Sequence, residues 1–299
     1  MDRDGRTRGA RGGAAARAGA LVACWLAALS AVVGGCASRV PPADLSRDPA
    51  ALLEQVRAAQ ARVTRVRGSA RVNIESPGGS GTVTELAAAE KPDRLRLETL
   101  DFFGNPAAVL VAAGGRFAFL DQRENVFYRG DASPENVSRL LPVLLPVEEI
   151  VTLLCGSAPL LPGRPLEVGV QGSQVLLTLG LGNVGQRVAL GEQARIEWSR
   201  VRRSDLGADG VPREVAPAYD VRFEAFRDRA GVRFPTELHL EAPSARAKID
   251  FAWRADLEVN GRLDPAIFQL DPPRGARVVD LAPGEGIPRW ELPLEPPRG

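Results

Sequence analysis

Residues 68–75 read Gly-Ser-Ala-Arg-Val-Asn-Ile-Glu, and within them apolar Ala70, Val72 and Ile74 alternate with Arg71, Asn73 and Glu75. A period of two sends the apolar side chains to one face of a strand and the polar ones to the other. A strand so divided belongs in an antiparallel sheet with one wet face. The chain just before it has a helical period. Asp48-Pro49 offers an N-cap and a proline suited to the first helical position. Leu52, Val56, Ala59, Val63 and Val66 then recur at three- and four-residue spacing, with Arg57, Arg62 and Arg65 off the stripe. This is an amphipathic helix in need of a partner surface, with the switch to strand at Gly68.

On the C-terminal side, Pro77-Gly78-Gly79 turns the chain into a second run at 82–88, and Leu95 and Leu97 alternate with Arg94, Arg96 and Glu98. Further strands are expected at 107–112, 116–120 and 126–129. Two short helical segments follow. The first, capped by Ser133-Pro134-Glu135, carries Val137, Leu140 and Leu141; the second opens at Pro146, carries Val147, Ile150, Val151 and Leu154, and stops at Gly156. Strands resume at 175–179, 194–201, 219–226, 233–240 and 248–253. Closely spaced strands with turn signals predict a mainly β (α+β) domain over residues 48–282, an incomplete antiparallel β-barrel of about ten or eleven strands. The leading helix and a helical lid fit that architecture, because an open barrel has an apolar concave face to cover. Residues 283–299 are rich in proline and are expected to be a disordered tail.

The N-terminus has the layout of an export signal over residues 1–35. Arg3, Arg6, Arg8, Arg11 and Arg17 precede an apolar stretch, 18–33, that is short of the roughly 20 residues a transmembrane helix needs. It closes on Val33-Gly34-Gly35-Cys36, which resembles a bacterial lipobox. The resemblance implies cleavage before Cys36 and covalent lipid on its sulfur, with 36–47 as a tether. Each buried methylene is worth roughly 0.8 kcal/mol, so two or three chains hold a protein stably at one bilayer. Ala37 after the cysteine implies delivery to the periplasmic face of the outer membrane.

The signal carries five Arg against Asp2 and Asp4, a charge of +3, so a total of +1 leaves the mature chain near −2. A balanced surface is not that of a nucleic-acid binder. Cys24 leaves with the signal and Cys36 takes lipid, so Cys155 has no intramolecular disulfide partner and reads as a buried small hydrophobe. His239, the one histidine, shares a strand face with Glu237 and Glu241 and reads as a solvent-facing residue. No zinc cluster, nucleophile elbow or phosphate loop is present in the sequence. The chain is therefore expected to be a non-enzyme without metal or cofactor beyond the lipid on Cys36.

The order of several segments resembles the LolB-like family of outer-membrane lipoproteins, which share a fold with a periplasmic LolA-like carrier. They are Val66-Arg67-Gly68-Ser69-Ala70-Arg71-Val72, Leu95-Arg96-Leu97 and Leu100-Asp101-Phe102-Phe103-Gly104-Asn105. Leu145-Pro146-Val147-Glu148-Glu149-Ile150 and Leu153-Leu154-Cys155-Gly156 follow, then Leu263-Asp264-Pro265-Ala266-Ile267-Phe268 before Pro272-Pro273. The resemblance implies a half-barrel with a helical lid over an acyl-chain cavity, and a receptor that takes lipoproteins from the carrier and inserts them in the outer membrane. It also implies a membrane-insertion role for Phe103, which precedes Gly104 and has Phe102 beside it. The alternative for both rings is packing at a strand end. Leu153 stands where the family often has tryptophan, and 181–217 is an extra region.

The candidate acyl-chain cavity is lined by the inward-facing residues Val72, Ile74, Leu95, Leu97, Val109, Val111, Phe117 and Phe119, with Leu140, Ile150 and Leu154 on the lid. Each serves equally well as plain core. Three functions stay open: a monomeric acyl-chain binder that receives or inserts lipoproteins, an envelope adaptor with a solid core, and an enzyme with an unfamiliar carboxylate site, which would need a polar cleft. No charged recognition group for a ligand is evident in the sequence.

Overall fold

The computed structural model describes residues 40–137, 144–206, 212–214 and 219–281. Cys36 and the export signal, the lid residue Leu140 and the tail 283–299 lie outside the described residues. The described residues from Pro41 onward form one compact unit.

Helix α1 (Pro49–Ala61) begins where sequence reading places it: the Asp48 carboxylate accepts from the Ala51 N–H at 2.7 Å, and Pro49 fills the first position. It buries Leu52, Leu53 and Val56. The helix ends sooner than its stripe, because Val66 already belongs to strand β1 (Arg65–Ser76). Packing also starts earlier than residue 48. Leu45 is buried, the Ser46 N–H donates to Gln55 Oε1 at 2.9 Å, and Gln55 Nε2 donates to the Asp44 carbonyl at 3.1 Å.

From β1 the chain meanders through β2 (Gly79–Glu90), β3 (Arg94–Leu100), β4 (Pro106–Ala113), β5 (Arg116–Asp121) and β6 (Val126–Asp131), each antiparallel to the one before. Helices α2 (Pro134–Val137) and α3 (Val147–Leu154) follow. A second set comprises β7 (Arg164–Gln171), β8 (Gln174–Leu181), β9 (Val184–Leu190), β10 (Ile196–Leu206), β11 (Pro212–Glu214), β12 (Tyr219–Arg229), β13 (Val232–Ala242) and β14 (Ala247–Trp253). Short β15 (Glu258–Val259) and β16 (Arg277–Leu281) close the order. Strand β14 pairs with β1, so the two sets fuse into one open sheet, β16-β6-β5-β4-β3-β2-β1-β14-β13-β12-β10-β9-β8-β7.

Sixteen strands are described, not the ten or eleven expected. Strands β7, β9, β11, β15 and β16 escaped the pattern for physical reasons. Edge strand β7 is largely exposed, so it has no apolar face to show, and β11 and β15 have three and two residues. The extra region 181–217 holds β9, β10 and β11, which extend the sheet. The arrangement is not wholly antiparallel, since β16 runs parallel to β6.

Directly opposed residues share a sheet face, so the registers define the concave side. Val72 lies between Val83 and Phe251, Leu95 between Ala89 and Ala112, and Leu97 between Ala87 and Leu110. Helix α1 packs over β7 and β8, and α3 over β2 and β3. The link after α3 is pinned to the sheet by a buried amide: Gln186 accepts from the Leu161 N–H at 2.7 Å and donates to the Pro159 carbonyl at 2.7 Å and to Ser199 Oγ at 2.8 Å. The opposite face carries a smaller core, where Leu263 and Phe268 cover Ala88, Val109 and Val111.

Gly156 ends α3 at φ +75°, and a Cβ there would stand 2.8 Å from both Phe234 Cε2 and Pro235 Cδ. Left-handed backbone and close approach both require glycine. Gly156→Ala is expected to cost roughly 1–3 kcal/mol, read as a lower urea midpoint with an unchanged m-value.

Candidate functional site

Most of the residues expected to line a cavity do converge. Val72, Ile74, Leu95, Leu97, Phe117, Phe119, Ile150 and Leu154 belong to one core between the concave face and its covering helices. Val109 and Val111 do not. They lie on the other face with Phe268, and Leu110, opposite Leu97 and Phe119, points inward with Ala108 and Ala112. The cause is that β4 is buried on both faces from Ala107 to Ala112, so its apolar run carries no alternation from which to choose a side.

Deep in the core packing is tight. Leu52, Ala89, Leu95, Val151 and Leu177 expose nothing at all. The face is less covered at its centre. Leu238 and Ile249 share the face of Phe251 and Val72 and, with Trp253, remain partly exposed. The Phe251 and Trp253 rings meet edge to face at 4.8 Å. A separate cleft of about 60 Å³ lies between Gln60, Val63, Cys155, Ser157, Ile196 and Phe234. It has room for about two waters and none for an acyl chain. Cys155 is buried beside it, and desolvation pushes its thiol up to about 12, so it is an inert core residue as its neighbours suggested.

One polar residue on the concave face was missed. Glu85 lies opposite Ala70 and Thr99, in inward register with Val83, Ala87 and Ala89, and is only 8% exposed. Its Oε1 accepts from Thr99 Oγ1 at 2.5 Å, while its buried Oε2 has no hydrogen-bond partner. Burial drives its pKa up to about 7, against the Thr99 hydrogen bond and with the nearby Glu98 charge adding to the rise. The signal was present in the sequence as a carboxylate at an apolar parity, Val83, Glu85, Ala87, Ala89. Three alanines in the same run leave that parity without the strong apolar contrast that marks an inward face.

Phe102 and Phe103 stand at the β3–β4 turn and are 78% and 84% exposed, with their rings edge to face at 5.5 Å. They do not pack at a strand end. Asp101 braces the turn: its carboxylate accepts from the Phe103 and Asn105 N–H groups at 2.9 and 2.8 Å, and its carbonyl accepts from the Gly104 N–H at 3.0 Å. The Asn105 amide, with its neighbours, holds the Asp101 carboxyl below its usual range. Thr84 pairs with Leu100, Gly81 with Ile74 and Ile74 with Ile249. The turn therefore sits at the same end of the sheet as Ile249.

His239 lies on the opposite face, where Nδ1 is 2.7 Å from Asp250 Oδ1. One potential ligand atom each from Glu224, Glu237 and His239 falls within 4.8 Å of the others, but Glu224 is exposed and the imidazole is already engaged by Asp250. Among the described residues, no helix is long and apolar enough to cross a membrane.

The sequence matches no protein-family model and no curated protein. Among solved structures, the chain is similar in fold to a DUF1329 family protein from Desulfovibrio piger ATCC 29098, with TM-score 0.50 and 12% identity over 72% of this chain and 95% of that one. A LolA superfamily protein from Nitrosomonas europaea aligns at TM-score 0.48 and 11% identity, covering 73% of this chain and 97% of that one. A candidate outer-membrane lipoprotein-sorting domain from Vibrio parahaemolyticus aligns at 0.49 and 11%, covering 72% and 95%. At such identities the likeness concerns fold alone.

Glu85 links stability to pH. Its folded pKa of about 7 exceeds the ordinary 4.5, so the folded state holds a proton that the unfolded state releases between those values. Stability is greatest below pH 4.5 as far as this group is concerned, falls as pH rises, and levels off above about 7, a loss of about 3 kcal/mol. Glu85→Gln is expected to remove that slope in urea melts across the same range.

Proposed function

We propose that the chain is a lipid-anchored envelope protein that holds acyl chains on the concave face beneath α3 and receives or inserts lipoproteins at the outer membrane. The observation that carries this reading is the partly exposed apolar strip of Leu238, Ile249 and Trp253, which continues the buried concave face out from under its covering helices. A pocket that grips hydrocarbon needs such a surface and few polar groups. The export signal and Val33-Gly34-Gly35-Cys36 supply the anchor, and the ordered resemblance to LolB-like proteins suggests the carrier from which cargo comes. The braced, exposed Phe102 and Phe103 fit a point of contact with the bilayer, since each ring gains roughly 1.5–3 kcal/mol when fully buried. The protein acts without catalysis, as a monomer.

A second reading, an adaptor with a packed domain, draws on Leu95 and Ala89 of the same face and Val151 of the helix above it, which expose nothing. Lipid analysis of the purified full chain separates the two. Acyl lipid beyond that attached to Cys36 is expected with the wild type and is lost from Leu238→Glu, which places a charge on the half-open strip. No acyl lipid beyond that on Cys36 in either protein favours the adaptor.

The hairpin has its own test. A polarity-sensitive dye on Phe103→Cys is expected to brighten in vesicles and be quenched by brominated acyl chains. The same dye on Leu166→Cys, an exposed position of edge strand β7, is expected to show neither effect.

A further inference from the structure

Along β1–β5 and β14 the registers place two carboxylates, Glu85 and Asp121, and no lysine or arginine on the concave face. Asp121 is occupied within its own turn, accepting from the Arg123 and Glu124 N–H groups at 2.9 and 3.2 Å. Glu85 differs. One oxygen is held by Thr99 and the other is buried without a donor.

A buried acceptor left unmade costs about 1–3 kcal/mol, and a fold keeps it only where something else compensates. Gln186, buried more completely on the same sheet, has every one of its polar groups bonded. Among the described residues, the side chains packed on this part of the sheet supply no further donor. Ala70 and Ala87 are small and apolar, and the buried residues of α3, which lies over β2 and β3, are Val147, Ile150, Val151, Leu153 and Leu154. The small side chains of Ala70, Ala87 and Ala108 also leave the sheet surface low around the carboxyl. Trp253, partly exposed, faces Ala70 from the next strand, so the half-open apolar strip leads to Glu85.

We propose that Glu85, held by Thr99, is the polar recognition point for an amphiphile whose polar end is a protonated amine. The free oxygen accepts an ammonium N–H while the alkyl chain lies along the strip of Trp253, Ile249 and Leu238. A cation is favoured over a neutral donor because a carboxylate in an apolar surround gains most from a charged hydrogen bond, and no basic side chain of these strands competes for it. An anionic headgroup would be repelled. The raised pKa of Glu85 agrees, since it marks a carboxyl whose ionised form lacks a counter-charge. This inference rests on the acyl-binding reading and assigns its polar end.

The test uses the full chain in mild detergent and three probes bearing a terminal diazirine: dodecylamine, dodecanol and dodecanoic acid analogues. Photo-adducts are mapped by peptide mass spectrometry. At about pH 8, the amine probe is expected to label concave-face peptides of β1, β2 and β14 about tenfold more than the alcohol, and the acid least. Glu85→Gln, nearly isosteric and relieved of the unpaired charge, is expected to keep alcohol labelling and lose the amine preference. Retained alcohol labelling also reports an intact fold. An amine-to-alcohol ratio unchanged by Glu85→Gln, or no amine preference in the wild type, overturns the role of Glu85 and leaves acyl binding standing. Failure of all three probes to label these peptides overturns acyl binding and the Glu85 assignment together.

Discussion

The pairing of β1 with β14 is the constraint on which the architecture depends. Strand β1 bonds along its whole length to β2, its neighbour in sequence, and along its second half to β14, which lies far away in the chain. Without that second edge there would be two separate meanders, each with an uncovered apolar face. With it, one continuous concave surface runs from Phe119 through Leu97, Val72 and Phe251 to Leu240. The first half of β1 meets β15 instead, and there Gly68 lets the chain pass. A Cβ at that residue would lie 2.9 Å from Leu257 Cα. The joint is a pairing of high contact order, which carries a large loop-closure cost.

Once one surface exists, it has to be covered, and the cover is uneven. Helix α1 and the link pinned by Gln186 fill the side formed by β7–β10, where Leu177, Leu179, Val188 and Leu190 expose nothing. Helix α3 serves the side formed by β2 and β3, and between the two helices the surface of β13 and β14 stays part open. The polar groups divide in the same way. Gln186 is fully bonded in the filled half, while Glu85 is half bonded in the other half. A satisfied buried amide stabilises a fixed arrangement, whereas an unsatisfied carboxyl is tolerated where a further group can arrive.

The exposed hairpin follows the same logic from outside. Two phenylalanines on a surface turn lose nothing in packing and gain nothing in water, yet Asp101 holds their backbone with three accepted hydrogen bonds. The bonded turn thus holds both rings out in water at a defined place, which is the feature the proposed bilayer contact draws on. Its position at the same end of the sheet as Ile249 puts the two rings near the open part of the concave face.

The sequence by itself determined the local elements that rest on local physics. Asp48-Pro49 specified the start of α1, Pro146 and Gly156 bounded α3, and the alternation of Ala70, Val72 and Ile74 set the inward face of β1. Period, caps and turn residues act over a few positions, so one strand or helix reveals them. Tertiary structure alone decided what depends on partners distant in sequence. It chose Leu110 over Val109 and Val111, because a strand buried on both faces carries no sign of which side meets which core. It revealed β7 as a strand, because an exposed edge needs only hydrogen bonds from β8 and no apolar face. It isolated Glu85, because whether a carboxylate is wet, paired or stranded depends on what the sheet registers and the covering helix bring beside it.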